Sequence, residues 1–127
     1  SVEIVNRAMV LCTDDKECGR NLFRAAFGPY YATPVYNNFL AWAGYTKAAA
    51  QIAEGWAEKD RNKTASAMSD EMIDEIAIIG DEDEIQARIQ ADADGGVDTH
   101  IIAPLAGNKE DVDRTFAAFT GATFQFA

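Results

Sequence analysis

A chain of 127 residues with 48% apolar and 25% charged residues has the size and composition of one ordinary globular domain. Its formal net charge of −10 repels phosphate backbones and anionic lipid, which sets aside nucleic acid and membrane surfaces as direct partners. No apolar run reaches the ~18–20 residues of a membrane span and no signal-peptide pattern opens the chain, so Cys12 and Cys18, at no zinc or disulfide-framework spacing, imply reduced thiols and a cytoplasmic location.

In chain order, Val2 to Cys12 is β-rich and ends in the apolar run Ala8-Met-Val-Leu-Cys12, which predicts a buried strand. The strand begins almost at once, as though in mid-structure. Asp14 with Glu17 three places on is a capping-box pattern, and predicts a helix from about Asp15 to Phe27 that stops at Gly28-Pro29. Leu22, Phe23 and Ala26 would face its core. Thr33-Pro34 starts a second helix, with Tyr36, Phe39, Leu40 and Ala43 on one face and Gly44 closing it in the left-handed conformation. Thr46 caps a third, carrying Ala49, Ile52, Ala53 and Trp56. Residues 57–75 are polar and helix-permissive, and predict one or two short helices, the last capped by Ser69.

Ile76 to Ile79 is a short β-branched run. Asp81 and Glu84 form a second capping-box pattern, and Ile85, Ile89 and Ala93 form the buried stripe of the helix that Gly95-Gly96 ends. Thr99 to Leu105 is a third strand, closed at Pro104. Asn108 caps a last helix carrying Val112, Phe116 and Phe119, and the tail after it is a packed or frayed terminus.

Apolar strands alternating with helices imply a helix-rich α/β fold of parallel, right-handed βαβ units. Over sixty residues separate the first two strands, so 28–75 reads as a helical insertion within a single partial domain spanning 1–127. Three parallel strands make a poor sheet alone, because parallel sheets need both faces covered and their edges paired. The pattern fits a piece of a larger parallel sheet or barrel.

"GDEDEIQARIQADADGG" followed by "VDTHIIAPL" resembles the closing β7–α7–β8 segment of the luciferase-like monooxygenase superfamily. "NRAMVLCTDDKECGRNLFRAAFGPYYATPVYNNFLAWAGY" resembles the sixth strand, the following helix and the helical insertion of the same family. Overall similarity points to the branch that uses the deazaflavin coenzyme F-420. The resemblance implies the C-terminal portion, about strands six to eight, of a (β/α)8 TIM barrel that needs roughly 250 residues when complete. It implies an oxidoreductase using F-420 or FMN, of the monooxygenase or hydride-transfer type, acting on a small-molecule substrate. The catalytic groups of the family lie mostly on earlier strands. The chain would then be inactive alone, bind no coenzyme by itself, and have the missing N-terminal part of the barrel as its partner. A reading of another class stays open: a standalone α/β interaction module, forming a homodimer through open strand edges.

In such a barrel the active face is the C-terminal end of the strands. The resemblance therefore puts Thr13, Asp14, Gly80 and Pro104, with Cys12, Asp81, Ala103 and Leu105, on the rim of a coenzyme pocket. A plain capping or turn role is the stronger reading of each residue alone. Tyr30 and Tyr31, with Phe27 and Tyr36, either roof a flat ring or bind substrate, or else they pack the insertion onto the barrel or form a subunit interface. Trp42 and Trp56 read as core or interface. His100, the only histidine, has no second ligand or carboxylate at catalytic spacing. Asp92, Asp94 and Asp98 lack the glycine position and terminal Glu of a calcium loop. At "GDEDE", Asp81 to Glu84 already fill the field of the helix N-terminus, which weakens the case for phosphate there.

Overall fold

The computed structural model describes residues 2–105 and 107–127. The elements in order are β1 (Val5–Cys12), α1 (Lys16–Tyr31), α2 (Pro34–Trp42), α3 (Thr46–Ala57), α4 (Arg61–Ser66), α5 (Asp70–Ile76), β2 (Ala77–Gly80), α6 (Glu82–Asp94), β3 (Thr99–Pro104) and α7 (Lys109–Ala117). They fall into two compact units, a helical one from Arg20 to Ile73 and a strand-bearing one formed by the chain on either side of it. Among the described residues no helix is long and apolar enough to cross a membrane.

In the strand-bearing unit all three strands are parallel, in the order β2-β1-β3. Met9 to Cys12 pair with Ala77 to Gly80, and Val5 to Val10 pair with Thr99 to Pro104. Three successive barrel strands lie side by side in chain order, whereas here β1 is central and β3 sits on its far edge. The physical reason is burial. β1 is the longest strand and holds Val10, Leu11 and Cys12 almost fully covered, so the centre suits it best.

The core of this unit follows the two-residue period of β1. Ala8, Val10 and Cys12 share one face and pack with Ile78, Ile85, Ile89 and Ala118, with Ile102, Phe119 and Phe124 at the border. The tail is packed: Phe124 meets Phe119 edge-on and Phe126 lies against His100. Gly19 lets the start of α1 lie against the other face of the sheet, because a Cβ there would stand 2.7 Å from Ile79 Cγ2 and 3.1 Å from Leu11.

Several helix boundaries differ from expectation for local reasons. α1 runs through Gly28-Pro29 to Tyr31. The proline forfeits one helical bond, the one its N–H would have made to the Ala25 carbonyl, while the glycine before it lacks the Cβ that would crowd the proline ring. Phe23, Phe27 and Tyr31 then form one row down the helix, with Phe23 and Phe27 stacked at 4.7 Å. The α1 cap is Asp15, whose Oδ1 accepts from the Cys18 amide at 3.0 Å, and not Asp14. α3 starts at Thr46, one residue earlier than a Thr46 cap allows, and buries Ala49, Ile52 and Gly55 while Trp56 stays half exposed. In α7 it is Thr115 that turns inward, with Ala118 at the C-cap, and Phe116 that is left half exposed. The expected caps at Ser69, Asp81 and Asn108 each accept a first-turn amide, and Gly44 has φ +104°.

Within the helical unit, Leu40, Ile52, Met68, Met72 and Ile73 are buried with Phe23. α3 and α4 cross closely at Gly55, where a Cβ would stand 2.7 Å from the Thr64 hydroxyl. Asn37 donates to the carbonyls of Tyr31 and Ala49, joining the end of α1 to α3.

Candidate functional site at the strand ends

Ligands of parallel α/β sheets bind beyond the carboxyl ends of the strands. The register sets Cys12 beside Gly80 and Val10 beside Pro104, so the ends of all three strands meet there. What gathers over them is a charged cluster built from three elements. Asp14 follows β1, Glu82 opens α6, and Arg114 and Thr115 lie on α7.

Arg114 is the centre of the cluster. Its Nε donates to Glu82 Oε1 at 2.8 Å, and its Nη2 donates to Glu82 Oε2 at 2.9 Å and to Asp14 Oδ1 at 2.9 Å. The bidentate fork matches a carboxylate and is stronger than a neutral hydrogen bond. The Arg114 guanidinium, with a bond from its own backbone N–H, holds the Glu82 carboxyl down to about 2. Arg114 is correspondingly raised, first by Glu82 and then by Asp14.

Cys12 lies beneath this pair, fully buried. Burial first, and then its hydrogen bond to the Glu82 carboxylate, push its thiol up to about 11. The thiol is therefore held protonated near neutral pH, which makes it a poor nucleophile. The Cys12 amide donates to the Thr115 hydroxyl at 3.0 Å, and that hydroxyl donates to the Asp111 carbonyl at 2.7 Å. Thr115 is thus a completely buried polar side chain with both bonds made.

The other strand-end residues are also engaged. The Thr13 amide donates to the Gly80 carbonyl at 2.8 Å, and its hydroxyl accepts from the Asp15 amide. Gly80 is required by close approach: a Cβ there would stand 2.8 Å from Glu84 Cβ. Beyond Pro104, the Leu105 amide donates to the Val10 carbonyl. Asp81 and Glu84 exchange the reciprocal bonds of a capping box, and Glu84 also pairs with Lys16, which with Arg114 lowers the local density of negative charge. The mouth is left with carboxylates whose cations are already matched.

Thr13, Asp14, Gly80 and Pro104 thus come together in the strand-bearing unit. Tyr30 and Tyr31 belong to the helical unit. Tyr31 is buried in the Phe23–Phe27 row, and that burial raises its phenol. Tyr30 is 45% exposed and lies over Tyr36, ring centres 4.0 Å apart. Sequence reasoning missed Glu82 as an ion-pair partner, and missed Arg114 and Thr115 altogether. Their partners lie 32 to 103 positions away, and no short-range pattern marks such a pair.

Two further features bear on chemistry. A groove of about 810 Å³ in the helical unit is lined by Arg24, Gly28, Trp56, Lys59, Arg61 and Thr64 among others. Arg24 there is committed to Asp70 at 2.6 Å and to the Met68 carbonyl at 2.9 Å. His100 has both ring nitrogens buried without a hydrogen-bond partner among the described residues and stacks on Phe126, as a packing residue does. Among the described residues, no group of three His, Cys, Asp or Glu side chains is arranged to hold a metal ion.

Compared with known proteins, residues 1–99 match the family model described as luciferase-like monooxygenase. No curated protein and no solved structure matches the chain.

Proposed function

Since this chain belongs to the luciferase-like monooxygenase family, we propose that it is a C-terminal part of an oxidoreductase that works with a flavin-type coenzyme, F-420 or FMN, on a small-molecule substrate. The family match over residues 1–99 carries the reading. In the complete enzyme the chain supplies wall and rim, with Thr13, Asp14, Gly80 and Pro104 bordering the coenzyme and Tyr30 and Tyr31 belonging to the helical insertion, residues 28–75. It supplies no catalytic group.

The strand ends of this chain do not by themselves fit a phosphorylated coenzyme. Arg114 Nε and Nη2 are engaged by Glu82 and Asp14, the Thr13 and Leu105 amides are bonded, and Asp81 to Glu84 surround the start of α6. The like charge of Asp14 and of Asp81 to Glu84 opposes a phosphate there. No step of the redox reaction is therefore assigned to these residues. The outer edges of β2 and β3 support a larger sheet, because parallel strands rarely end a sheet uncovered. In a complete barrel β3 would pair with β2, and β1 would take a further strand on the edge that β3 now occupies.

Titration of the chain with F-420 and with FMN, followed by coenzyme fluorescence, tests the reading. No saturable change is expected up to about 100 μM, within the range where ordinary ligands saturate. Tight stoichiometric binding would mean the chain carries a complete coenzyme site. The upstream coding sequence gives an independent check: five further βα units are expected, and a start codon at this point would overturn the fragment reading.

A further inference from the structure

The groove of about 810 Å³ in the helical unit has the size of a small-molecule site, and every residue that lines it belongs to that unit. One wall is the face of α1 that carries Arg24, Ala25 and Gly28, and the other is the turn from α3 into α4. Ala25, Gly28 and Ala65 bring little side-chain bulk, which keeps the space open. Trp56 lines it and is 50% exposed, although an indole gains much from burial. None of Thr13, Asp14, Gly80 and Pro104 belongs to the lining, so the groove is separate from the strand ends.

The charges around the groove do not balance. Lys63 takes the two nearby acids, Glu54 at 2.9 Å and Glu58 at 3.0 Å. Asp70 takes Arg24 at 2.6 Å. Lys59 and Arg61 also line the groove, and among the described residues their side chains have no hydrogen-bond or ion-pair partner. Asp60 is the one carboxylate among the described lining residues, and its Oδ1 is used on the Lys63 amide at 3.0 Å. Two unmatched cations against one carboxylate leave a single net positive charge, in a chain of net charge −10.

We propose that this groove binds an aromatic monocarboxylate, with the ring against Trp56 and the carboxylate on Arg61, and Lys59 as the second cation. The single net charge selects a monoanion. A phosphate monoester carries close to two charges near neutral pH and would meet Asp60 with one of them unmatched. A guanidinium fork and a carboxylate match in plane, through two parallel hydrogen bonds. The half-exposed indole selects a ring, which stacks on its face and removes apolar surface from water. An acidic protein segment would match the cations and leave that face open.

The test is a titration of the 15N-labelled chain with naphthalene-2-carboxylate, followed by the two indole N–H signals in NMR spectra. Trp42→Phe identifies which signal is Trp56. The Trp56 signal is expected to shift and saturate with Kd on the order of 0.1–1 mM, as a ligand of this size reaches in an open groove, while the Trp42 signal stays. Arg61→Gln is expected to weaken binding about 10-fold or more, the loss of a charge-assisted pair. Naphthalene-2-carboxamide, which keeps the ring and lacks the charge, should bind the unaltered chain more weakly by a similar factor, and this comparison involves no variant. No saturable shift of Trp56 up to about 10 mM would overturn the proposal. Equal binding of the carboxamide would reduce the groove to an apolar surface and overturn it too. A blocked tetra-aspartate peptide that bound as well as the naphthoate would give the groove to an acidic protein segment instead.

Discussion

Arg114 grips the Glu82 carboxylate through two parallel hydrogen bonds, Nε to Oε1 at 2.8 Å and Nη2 to Oε2 at 2.9 Å, and so ties α7 to the first turn of α6. The pair has a definite pH signature. The folded carboxyl is held at about 2 against an ordinary value of 4.5, mainly by Arg114. A depressed carboxyl contributes its stability above the unfolded value and loses it as pH falls through the folded one. Urea unfolding between pH 5 and 2 should therefore show a loss from this group of about 1 kcal/mol, solvent screening of the half-exposed pair allowed for. Glu82→Gln should lack that component. An unchanged pH profile in the variant would rule out the pair as its source.

Thr115 is the polar residue the core cannot spare. Thr115→Val keeps shape and removes the hydroxyl, leaving the buried Cys12 amide without its partner at 3.0 Å. An unsatisfied buried amide costs about 1–3 kcal/mol. Thr115→Ser keeps the hydroxyl and should lose less, through one missing methyl. Chemical denaturation of the two variants decides it: Val equal to or better than Ser would contradict the hydrogen-bonding role.

Lys59 ends α3 in the left-handed conformation, with φ 58°. Its amide donates to the Trp56 carbonyl and that of Asp60 to the Gly55 carbonyl, the pair of bonds that usually closes around a glycine. A side chain in that conformation costs roughly 1 kcal/mol. Lys59→Gly is expected to stabilise the fold by about 1 kcal/mol or somewhat less, once the greater freedom of glycine in the unfolded chain is counted, and so to raise the unfolding midpoint. Destabilisation on thermal melting would show that the lysine side chain offsets its own backbone strain.

The two cysteines should react very differently. Cys18 is exposed, whereas Cys12 is buried with its thiol raised to about 11. Iodoacetamide at pH 8 should add one group rapidly, at Cys18, and the second only as the chain opens. Intact-mass measurement follows both. Fast double labelling of the folded chain would contradict the closed strand ends.

Local devices were readable in advance, and their errors are informative. Asp81 with Glu84, Ser69 and Asn108 act as their spacing implies, because a cap needs partners only three residues away. Spacing alone offers Asp14 as a cap, but three neighbouring residues, Thr13, Asp14 and Asp15, could all serve. Arg114 on a distant helix claims Asp14, and Asp15 caps α1 instead. Phe116 and Trp56 fit an apolar spacing yet face outward, because the period of a helix marks a stripe without saying which edge of it meets the core.

The amino-acid order by itself determined the alternation of strands and helices, the caps, the glycine stop at Gly44 and the family that residues 1–99 match. These depend on spacings of a few residues, or on a pattern read along the chain. Tertiary structure alone decided that β1 is the central strand, that Arg114 closes the strand ends against Glu82 and Asp14, and that Trp42 stands in solvent. The first two are choices among partners tens of positions apart, settled by which arrangement buries apolar surface and leaves few charges unmatched; Trp42 is exposed because α2 turns Leu40 and Asn37 inward instead.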